Sequence, residues 1–274
     1  SHSLPQVNEV IETFIGFYGG EPLLNFNLIK KCVEYAKELT KKGNTRRMIY
    51  SMTTNGTLLT DEIIDFIARN NFSLTISLDG PKSRHDANRI FKNGAGTFDT
   101  VIANIQKIKN KYPDYYQFNV KFAITTTPPV DYMEIDEFIT SSDLIDECSG
   151  VIQEGIIPGT PYLKRFKPHE LVDLEGEKKI WQKYMDCVVS DKAKEPLFTW
   201  EYSFVHSLYG VNLYRIKSRD VWTELGETHH PGGICQPGQL KLLLSTEGRY
   251  YPCEKVFYTN SDDDISCIGN VEDG

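Results

Sequence analysis

A short turn between an apolar run and an amphipathic stretch carries the first residues that could bind a ligand. Residues 14–18 are largely apolar, as in a strand buried on both faces, and Gly19, Gly20 and Glu21 follow directly. Pro22 suits the first position of a helix. Glycine lets backbone approach a ligand closely, and a fixed carboxylate beside backbone carbonyls can receive an ammonium group. Taken alone, this turn is either a ligand site or a plain glycine-rich turn with a solvent-facing Glu21.

Three of the six cysteines form a second candidate site. Cys235, Cys253 and Cys267 lie in a Gly- and Pro-rich stretch with little helical periodicity, a context that favours ligation over packing. Residues 241–253 predict a β-hairpin that turns at Glu247-Gly248, and a hairpin brings its ends together. Cys235 and Cys253 could therefore meet at one metal site. The alternative is two unrelated thiols.

Other potential ligands have a simpler interpretation. Cys32 lies on an apolar helical stripe with Leu28 and Tyr35, and Cys187 lies on another stripe, so both are expected to be small core residues. His85 has no partner at metal-ligand spacing and is expected in a solvated loop.

Length and charge limit the classes of protein. A chain of 274 residues can bury a substantial core, and its formal charge of -8 is spread along the sequence, which argues against a nucleic-acid-binding surface. No apolar run reaches membrane-spanning length, and no signal peptide is recognisable. We therefore expect a cytoplasmic protein that binds neither nucleic acid nor membrane, with no disulfide framework.

Repeated βα units must position these residues. From residue 14 to about 157, apolar strands alternate with amphipathic helices, which is typical of a parallel sheet. Polar or glycine residues gather at the C-terminal strand ends, where βα-repeat folds bind ligands. The predicted strands are about 14–18, 47–56, 73–80, 118–127 and 150–157. The predicted helices are about 25–42, 60–70, 97–112 and 133–145, with a polar loop before residue 97.

Several short sequence motifs at the ends of successive strands resemble those of a single family. They are residues 19–24 (Gly-Gly-Glu-Pro-Leu-Leu), 53–59 (Thr-Thr-Asn-Gly-Thr-Leu-Leu), 77–81 (Ser-Leu-Asp-Gly-Pro), 85–89 (His-Asp-Ala-Asn-Arg) and 96–98 (Gly-Thr-Phe). The ordered set is similar to radical S-adenosylmethionine (SAM) enzymes of the SPASM-domain group, which make modified peptides and proteins. The spacing of Cys235, Gly248 and Cys253 resembles the opening of the SPASM auxiliary-cluster pattern.

This resemblance implies an α/β fold with three parts. Residues 1–157 would form a partial (β/α) barrel of the radical SAM type. Residues 158–232, punctuated by prolines and with helices predicted at about 176–190 and 201–215, would be an inserted or bridging helical segment. Residues 233–274 would be the N-terminal part of a SPASM auxiliary-cluster domain, starting with the hairpin.

The resemblance also implies a SAM site with named residues. Gly19, Gly20 and Glu21 would hold the methionine ammonium, and Arg89 would pair with the methionine carboxylate, a role suited to a guanidinium fork that stays charged. Ser77, Asp79 and Asn55 would lie near the ribose or the amino acid.

Iron-sulfur clusters of the [4Fe-4S] type are the second implied cofactor. Cys235 and Cys253 would ligate an auxiliary cluster. The catalytic cluster of the family needs a Cys-x3-Cys-x2-Cys loop ahead of the Gly-Gly-Glu strand, but no cysteine precedes Cys32. We therefore expect this sequence to be a piece of a longer protein, truncated at both ends and inactive alone.

In this family a reduced cluster cleaves SAM to a 5′-deoxyadenosyl radical, which abstracts hydrogen from the substrate. The sequence around Pro252-Cys253-Glu254 resembles that of maturases of ribosomally made, cysteine-rich peptides, which favours thioether crosslinking. Its implied partners are the precursor peptide and an electron donor such as a flavodoxin or ferredoxin.

Two other functions remain open. One is a protein side-chain oxidase of the sulfatase-maturase kind, in which Glu254 would be the catalytic base; otherwise Glu254 is a salt-bridged surface residue. The other is a noncatalytic scaffold that binds SAM or a peptide.

Overall fold

The computed structural model describes residues 12–42, 47–146, 150–155, 163–167, 170–171, 173–189, 242–252 and 266–272. The chain divides into two compact units, Ser1–Lys217 and Ser218–Gly274. Within the described ranges, no helix is both long enough and apolar enough to cross a membrane.

A parallel five-stranded sheet organises the first unit. Its order follows the chain, and the strands are β1 (Thr13–Phe17), β2 (Met48–Thr54), β3 (Ser73–Ser77), β4 (Val120–Thr126) and β5 (Gly150–Gly155). The five predicted strands are therefore confirmed. Because all five run in the same direction, their C-terminal ends lie along one edge of the sheet.

Helices connect these strands. They are α1 (Phe26–Lys41), α2 (Asp61–Arg69), α3 (Lys82–Asn88), α4 (Phe98–Lys111), α5 (Pro113–Asn119), α6 (Tyr132–Thr140), α7 (Asp143–Asp146) and α8 (Leu174–Val189). Short 3-10 helices span Pro22–Asn25 and Leu163–Arg165. Side chains cap several helices, for example Thr60, which accepts a hydrogen bond from the backbone N–H of Ile63.

Some predicted boundaries are wrong. The polar loop predicted before residue 97 contains α3, a short helix that buries only His85 and so lacks an apolar stripe. The strand predicted from residue 118 begins at Val120, because α5 starts at Pro113 and ends only at Asn119. The single helix predicted over 133–145 is divided into α6 and α7.

One face of the sheet packs against helices. Buried residues alternate along the strands, including Met52 on β2, Ile76 on β3 and Phe122 on β4. Phe72 stacks near Tyr50 and Phe17, with ring centroids 5.2 and 6.0 Å away. This aromatic group fixes the helix-covered face of β1 and β2 in the core.

Strand β1 differs from the prediction that both of its faces are buried. Phe14 is 69% exposed, and Gly16 is also exposed. The physical reason is that side chains alternate along a strand, so Ile15 and Phe17 pack against the core whereas Phe14 and Gly16 lie on the opposite face of β1.

The apolar stripe predicted on the first helix is also displaced. The buried residues of α1 are Ile29, Val33 and Ala36, whereas Leu28 and Tyr35 are more than half exposed. The core-facing stripe therefore lies one position around the helix, and Cys32 at its margin is half-buried.

The second unit contains the predicted hairpin. Strands β6 (Leu243–Leu244) and β7 (Arg249–Tyr251) pair antiparallel across a turn in which Gly248 adopts φ +80°. A third strand, β8 (Gly269–Asn270), pairs antiparallel with β7. The hairpin and its turn at Glu247-Gly248 are confirmed. The helix predicted at 201–215 lies outside the described residues.

Candidate functional site

The turn after β1 presents bare backbone at the C-terminal edge of the sheet. Gly19 adopts φ +142°, a conformation that favours glycine. Gly19 and Gly20 are exposed, and a Cβ added to either would meet no atom within 4 Å. An incoming ligand can therefore reach the peptide groups of this turn.

Glu21 fixes that turn from inside the protein. Its Oε1 accepts hydrogen bonds from the backbone N–H of Leu23 at 3.1 Å and from the hydroxyl of Thr54 at 2.8 Å. Its Oε2 accepts from the backbone N–H of Asn55 at 2.7 Å. The carboxylate thus caps the following 3-10 helix and joins the ends of β1 and β2.

A side chain also fixes the turn that follows β2. The side-chain oxygen of Asn55 accepts hydrogen bonds from the backbone N–H and the hydroxyl of Thr57, at 2.9 and 2.7 Å. Gly56 adopts φ +77°, and a Cβ there would lie 3.1 Å from Ile76 and 3.2 Å from Val101. This close packing explains why glycine follows Asn55.

The end of β3 carries an ion pair between two predicted site residues. Nε of Arg89 donates to Oδ2 of Asp79 at 2.7 Å, and Nη2 donates to Oδ1 at 2.9 Å. The Asp79 side chain is 3% exposed and that of Arg89 is 28% exposed. Two parallel bonds fix the plane of the guanidinium, and its Nη1–Nη2 edge lies outside the pair. Ser77, the last residue of β3, is half-buried.

His85 lies beneath this ion pair, and its predicted place in a solvated loop is wrong. The imidazole is completely buried. The backbone N–H of Asp79 donates to Nδ1 at 3.4 Å, and Nε2 lies 2.9 Å from the hydroxyl of Thr97. Burial lowers the pKa of His85. The sequence signal for His85 was its place in the stretch of residues 85–89 that also contains Arg89.

A glycine and a carboxylate fix the start of α4 near His85. Oδ1 of Asp86 accepts a hydrogen bond of 2.9 Å from the backbone N–H of Phe98. A Cβ on Gly96 would lie 2.1 Å from Cγ of Asp86, so the carboxylate occupies the space that a side chain at residue 96 would need. Packing therefore explains the glycine at residue 96, and the Asp86 side chain caps α4 at Phe98.

Arg84 is a further residue that the sequence prediction missed. Its Nη1 and Nη2 donate to the backbone carbonyls of Thr127 at 3.2 Å and Pro129 at 2.8 Å, and its Nε pairs with Glu134. These bonds join α3 to the segment after β4. Arg84 thereby links the segment that follows β3 to the segment that follows β4.

The predicted cluster ligands cannot be placed in the same way. Cys235, Cys253 and Glu254 lie outside the described residues. Among the residues that the structure describes, no group of three or more His, Cys, Asp or Glu side chains could hold a metal ion. Cys267 is half-buried, and its thiol donates to the carbonyl of Gly269 at 3.2 Å.

The C-terminal edge of the parallel sheet has groups that fit the amino acid end of SAM. That end carries an ammonium and a carboxylate. The exposed peptide groups at Gly19 and Gly20 offer acceptors, and the outer edge of the Arg89 guanidinium offers two donors. Both follow strands of the same parallel sheet.

Curated relatives match just under half of the chain. A cysteine-type anaerobic sulfatase-maturating enzyme of Clostridium novyi is 35% identical over 130 residues, 46% of this chain and 33% of the relative. A serine-type anaerobic sulfatase-maturating enzyme of Bacteroides thetaiotaomicron is 32% identical over 133 residues, 48% of this chain and 30% of the relative. The radical SAM cyclopropyl synthase TigE of Paramaledivibacter caminithermalis is 28% identical over 125 residues, 46% of this chain and 24% of the relative. These matches span about a third of the length of the relatives or less.

A solved structure shares the fold over most of the chain. Native anSMEcpe with bound AdoMet and Kp18Cys peptide is 18% identical, with a TM-score of 0.66 over 96% of this chain and 65% of that one. This likeness confirms the α/β fold of the radical SAM type. Residues 6–141 also match the family model described as the Radical SAM superfamily. The sheet, its strand-end phrases and these matches together place residues 6–141 in the radical SAM superfamily.

Proposed function

We propose that this chain supplies the SAM-binding sheet of a radical enzyme that modifies a side chain of a peptide or protein. The observation that carries the proposal is the exposed Gly19-Gly20 backbone, held by the bonds of Glu21 to Thr54 and Asn55, in a radical SAM domain. A turn that is both open and fixed can bind a ligand without losing conformational entropy of its own.

The methionine ammonium would bind to this turn. Because the Glu21 carboxylate already accepts three hydrogen bonds within the protein, its main role would be to aim the backbone carbonyls of residues 19–21 at the ammonium. The carboxylate adds a negative charge nearby, which favours a cation. Gly19 and Gly20 would let the methionine approach without a side chain in its path.

The methionine carboxylate would bind to Arg89. Asp79 holds Nε and Nη2 of the guanidinium, so the Nη1–Nη2 edge is directed away from Asp79 and is free to form a second forked pair. Asp79 would thus act on SAM through Arg89. Ser77 and Asn55, at the neighbouring strand ends, would lie near the ribose or the amino acid.

The bound cofactors would supply the radical chemistry. A reduced [4Fe-4S] cluster together with SAM would provide a 5′-deoxyadenosyl radical for hydrogen abstraction, with electrons from a donor such as a flavodoxin or ferredoxin. Cys235 and Cys253 would hold an auxiliary cluster in a SPASM-type domain. The whole enzyme would act in the cytoplasm. The residues of this chain would orient the methionine end and leave the ribose near the open strand ends.

Two side-chain reactions are supported by different observations. The names of the curated relatives, and the peptide bound to the anSMEcpe structure, support oxidation of a cysteine or serine side chain in a protein of the sulfatase kind. The amino-acid sequence of residues 252–256 supports thioether crosslinking in a cysteine-rich peptide. Glu254 would be the catalytic base in the first reaction.

Anaerobic reconstitution of the complete protein tests the proposal. The protein would be incubated with iron, sulfide, a reductant, SAM and candidate peptides, and 5′-deoxyadenosine and peptide masses would be measured. Loss of two hydrogens with sulfur retained and no reaction with an aldehyde reagent would indicate a thioether. A product that reacts with an aldehyde reagent would indicate side-chain oxidation.

The noncatalytic alternative predicts a different result. A scaffold would bind SAM or peptide but would form no 5′-deoxyadenosine after reconstitution. The coding sequence upstream of Ser1 gives a second test, because three cysteines spaced Cys-x3-Cys-x2-Cys would supply the catalytic cluster. A start codon near Leu4 would contradict the enzyme.

A further inference from the structure

We propose that His85 and Thr97 are positioning residues of the SAM site, and that they link the backbone of Asp79 to that of Arg89 so that the guanidinium keeps the orientation in which it binds the ligand carboxylate. This proposal rests on the proposed function, since it assigns a role in SAM binding.

The residues form a closed ring of hydrogen bonds. The backbone N–H of Asp79 donates to Nδ1 of His85, and Nε2 of His85 lies 2.9 Å from the hydroxyl of Thr97. That hydroxyl donates to the backbone carbonyl of Arg89 at 3.0 Å. The guanidinium of Arg89 then donates back to the carboxylate of Asp79, which closes the ring.

The ring determines the protonation state of His85. Thr97 has one hydroxyl hydrogen and gives it to the Arg89 carbonyl, so toward His85 its oxygen is an acceptor and Nε2 carries a hydrogen. Nδ1 receives a hydrogen bond from Asp79 and therefore carries none. A neutral imidazole with hydrogen on Nε2 satisfies both contacts, and its complete burial also favours the neutral form.

The backbone of Arg89 is held on both sides. Its N–H donates to the carbonyl of His85 at 2.8 Å, and its carbonyl accepts from the N–H of Thr97 at 3.2 Å as well as from the hydroxyl. The side chain leaves this fixed backbone and meets Asp79. A shift at either end of the ring would rotate the forked pair and change the direction of the Nη1–Nη2 edge.

A capping role does not account for the Thr97 hydroxyl. Thr97 precedes α4, yet its side chain makes no capping hydrogen bond, and Asp86 receives the N–H of Phe98 instead. The imidazole and the hydroxyl instead form hydrogen bonds with the backbone of Asp79 and of Arg89. Phe98 packs edge-on against His85 with centroids 5.7 Å apart and keeps the ring plane in place.

Two substitutions of Thr97 separate positioning from packing. Thr97→Val keeps the branched shape and removes the hydroxyl, whereas Thr97→Ser keeps the hydroxyl. Thr97→Val removes both hydrogen bonds of the hydroxyl, and we expect it to weaken SAM binding about fivefold to tenfold, whereas Thr97→Ser should bind as the wild type does. His85→Gln, which can donate near Nε2 but cannot accept near Nδ1, should give an intermediate loss.

The probe ligands give the decisive readout. Binding of SAM and of decarboxylated SAM would be measured by calorimetry on the complete protein, with the His85 ring nitrogens followed by NMR. Positioning of Arg89 predicts that Thr97→Val weakens binding of SAM and leaves binding of the decarboxylated analogue unchanged. Equal losses for both ligands, or no loss for SAM, would overturn the proposal, as would a His85 signal with hydrogen on Nδ1.

Failure of the proposed function would give a distinct result. If the wild-type protein bound neither SAM nor its analogue, the SAM site itself would be wrong and the positioning role would fall with it. If the wild type bound SAM but Thr97→Val did not discriminate between the two ligands, only the role of the ring would be wrong.

Discussion

The Oε2 atom of Glu21 lies 2.7 Å from the backbone nitrogen of Asn55 and accepts its hydrogen bond. This single contact joins the end of β1 to the end of β2. It gives the carboxylate of the Gly-Gly-Glu phrase a structural role in addition to any contact with a ligand.

Substituting Glu21 by Gln should therefore destabilise the fold. Gln keeps one acceptor for Thr54 and Leu23 but presents an amide NH2 to the N–H of Asn55. We expect a loss of about 1–2 kcal/mol in the free energy of unfolding, measured by urea denaturation. The control is Glu62→Gln. The Glu62 side chain is 72% exposed in its pair with Lys30, so a loss below about 0.5 kcal/mol is expected. Equal losses would contradict the bridging role.

Replacing Arg89 by Lys should weaken SAM binding more than it weakens the fold. Lysine keeps the charge but cannot hold Asp79 with one edge and a ligand carboxylate with the other. We expect at least a tenfold loss of SAM affinity, or about 1.4 kcal/mol, by calorimetry. Arg69→Lys is the matched control, because Arg69 is 74% exposed and its contact with Asp65 is 4.0 Å long. An unchanged affinity in Arg89→Lys would contradict the proposed carboxylate site.

Two glycine substitutions should separate binding from stability. Alanine at residue 96 would displace the Asp86 carboxylate and break its cap on Phe98, with an expected loss of about 1–2 kcal/mol in stability. Alanine at residue 20 meets open space and should leave the thermal midpoint unchanged, yet it should weaken SAM binding because the ligand would occupy that space. Tight SAM binding by Gly20→Ala would mean that the methionine binds elsewhere.

His85 should make stability depend on pH. Its folded pKa is lowered, first by burial and then by the Arg89 charge, while Asp79 and Asp86 act in the opposite direction. Below the unfolded pKa of about 6.5, the unfolded chain therefore binds more protons than the folded one, and stability falls as the pH falls. The slope can reach about 1.4 kcal/mol per pH unit.

Comparison with His85→Asn isolates this effect. Asn does not titrate and can still accept the Asp79 N–H, so the stability advantage of the wild type should shrink between pH 7.5 and pH 5.5. Urea midpoints at several pH values would measure it. A difference that stays constant with pH would mean that His85 titrates normally in the fold.

The docking of α8 on α6 depends on a buried charge. Asp136 on α6 is 3% exposed and pairs through its Oδ2 with Lys183 on α8, while its Oδ1 has no hydrogen-bond partner among the described residues. Lys183→Met should cost about 2–3 kcal/mol in stability, because it leaves a buried carboxylate unpaired. Adding Asp136→Asn should recover part of that loss in chemical denaturation, and a double variant as unstable as the single one would contradict this explanation.

Sequence predicted the sheet because each strand has its own apolar run and the helices between them are amphipathic. It did not predict α3, which lies in the predicted polar loop, or α5. A short polar helix such as α3 has no apolar periodicity, and α5 joins β4 without a turn signal.

Short motifs at the strand ends indicated the residues of the candidate site, but they did not indicate the contacts between those residues. Sequence indicated Glu21, Asp79 and Arg89 as a set, yet the forked pair of Asp79 with Arg89 depends on how residues 79–89 fold back after β3. His85 was not predicted as a site residue because it has no partner at metal-ligand spacing. Its actual partners are a backbone N–H and a hydroxyl, which leave no mark in residue spacing.

The strand order β1-β2-β3-β4-β5 repeats the order of synthesis, so each strand finds its partner already made when it leaves the ribosome. The contacts of Glu21 need only the chain up to Asn55, and those of Arg89 need only residues up to Thr97. The edge that we propose as the SAM site can therefore assemble on the nascent chain from its N-terminal side, before any residue of the second unit has been translated.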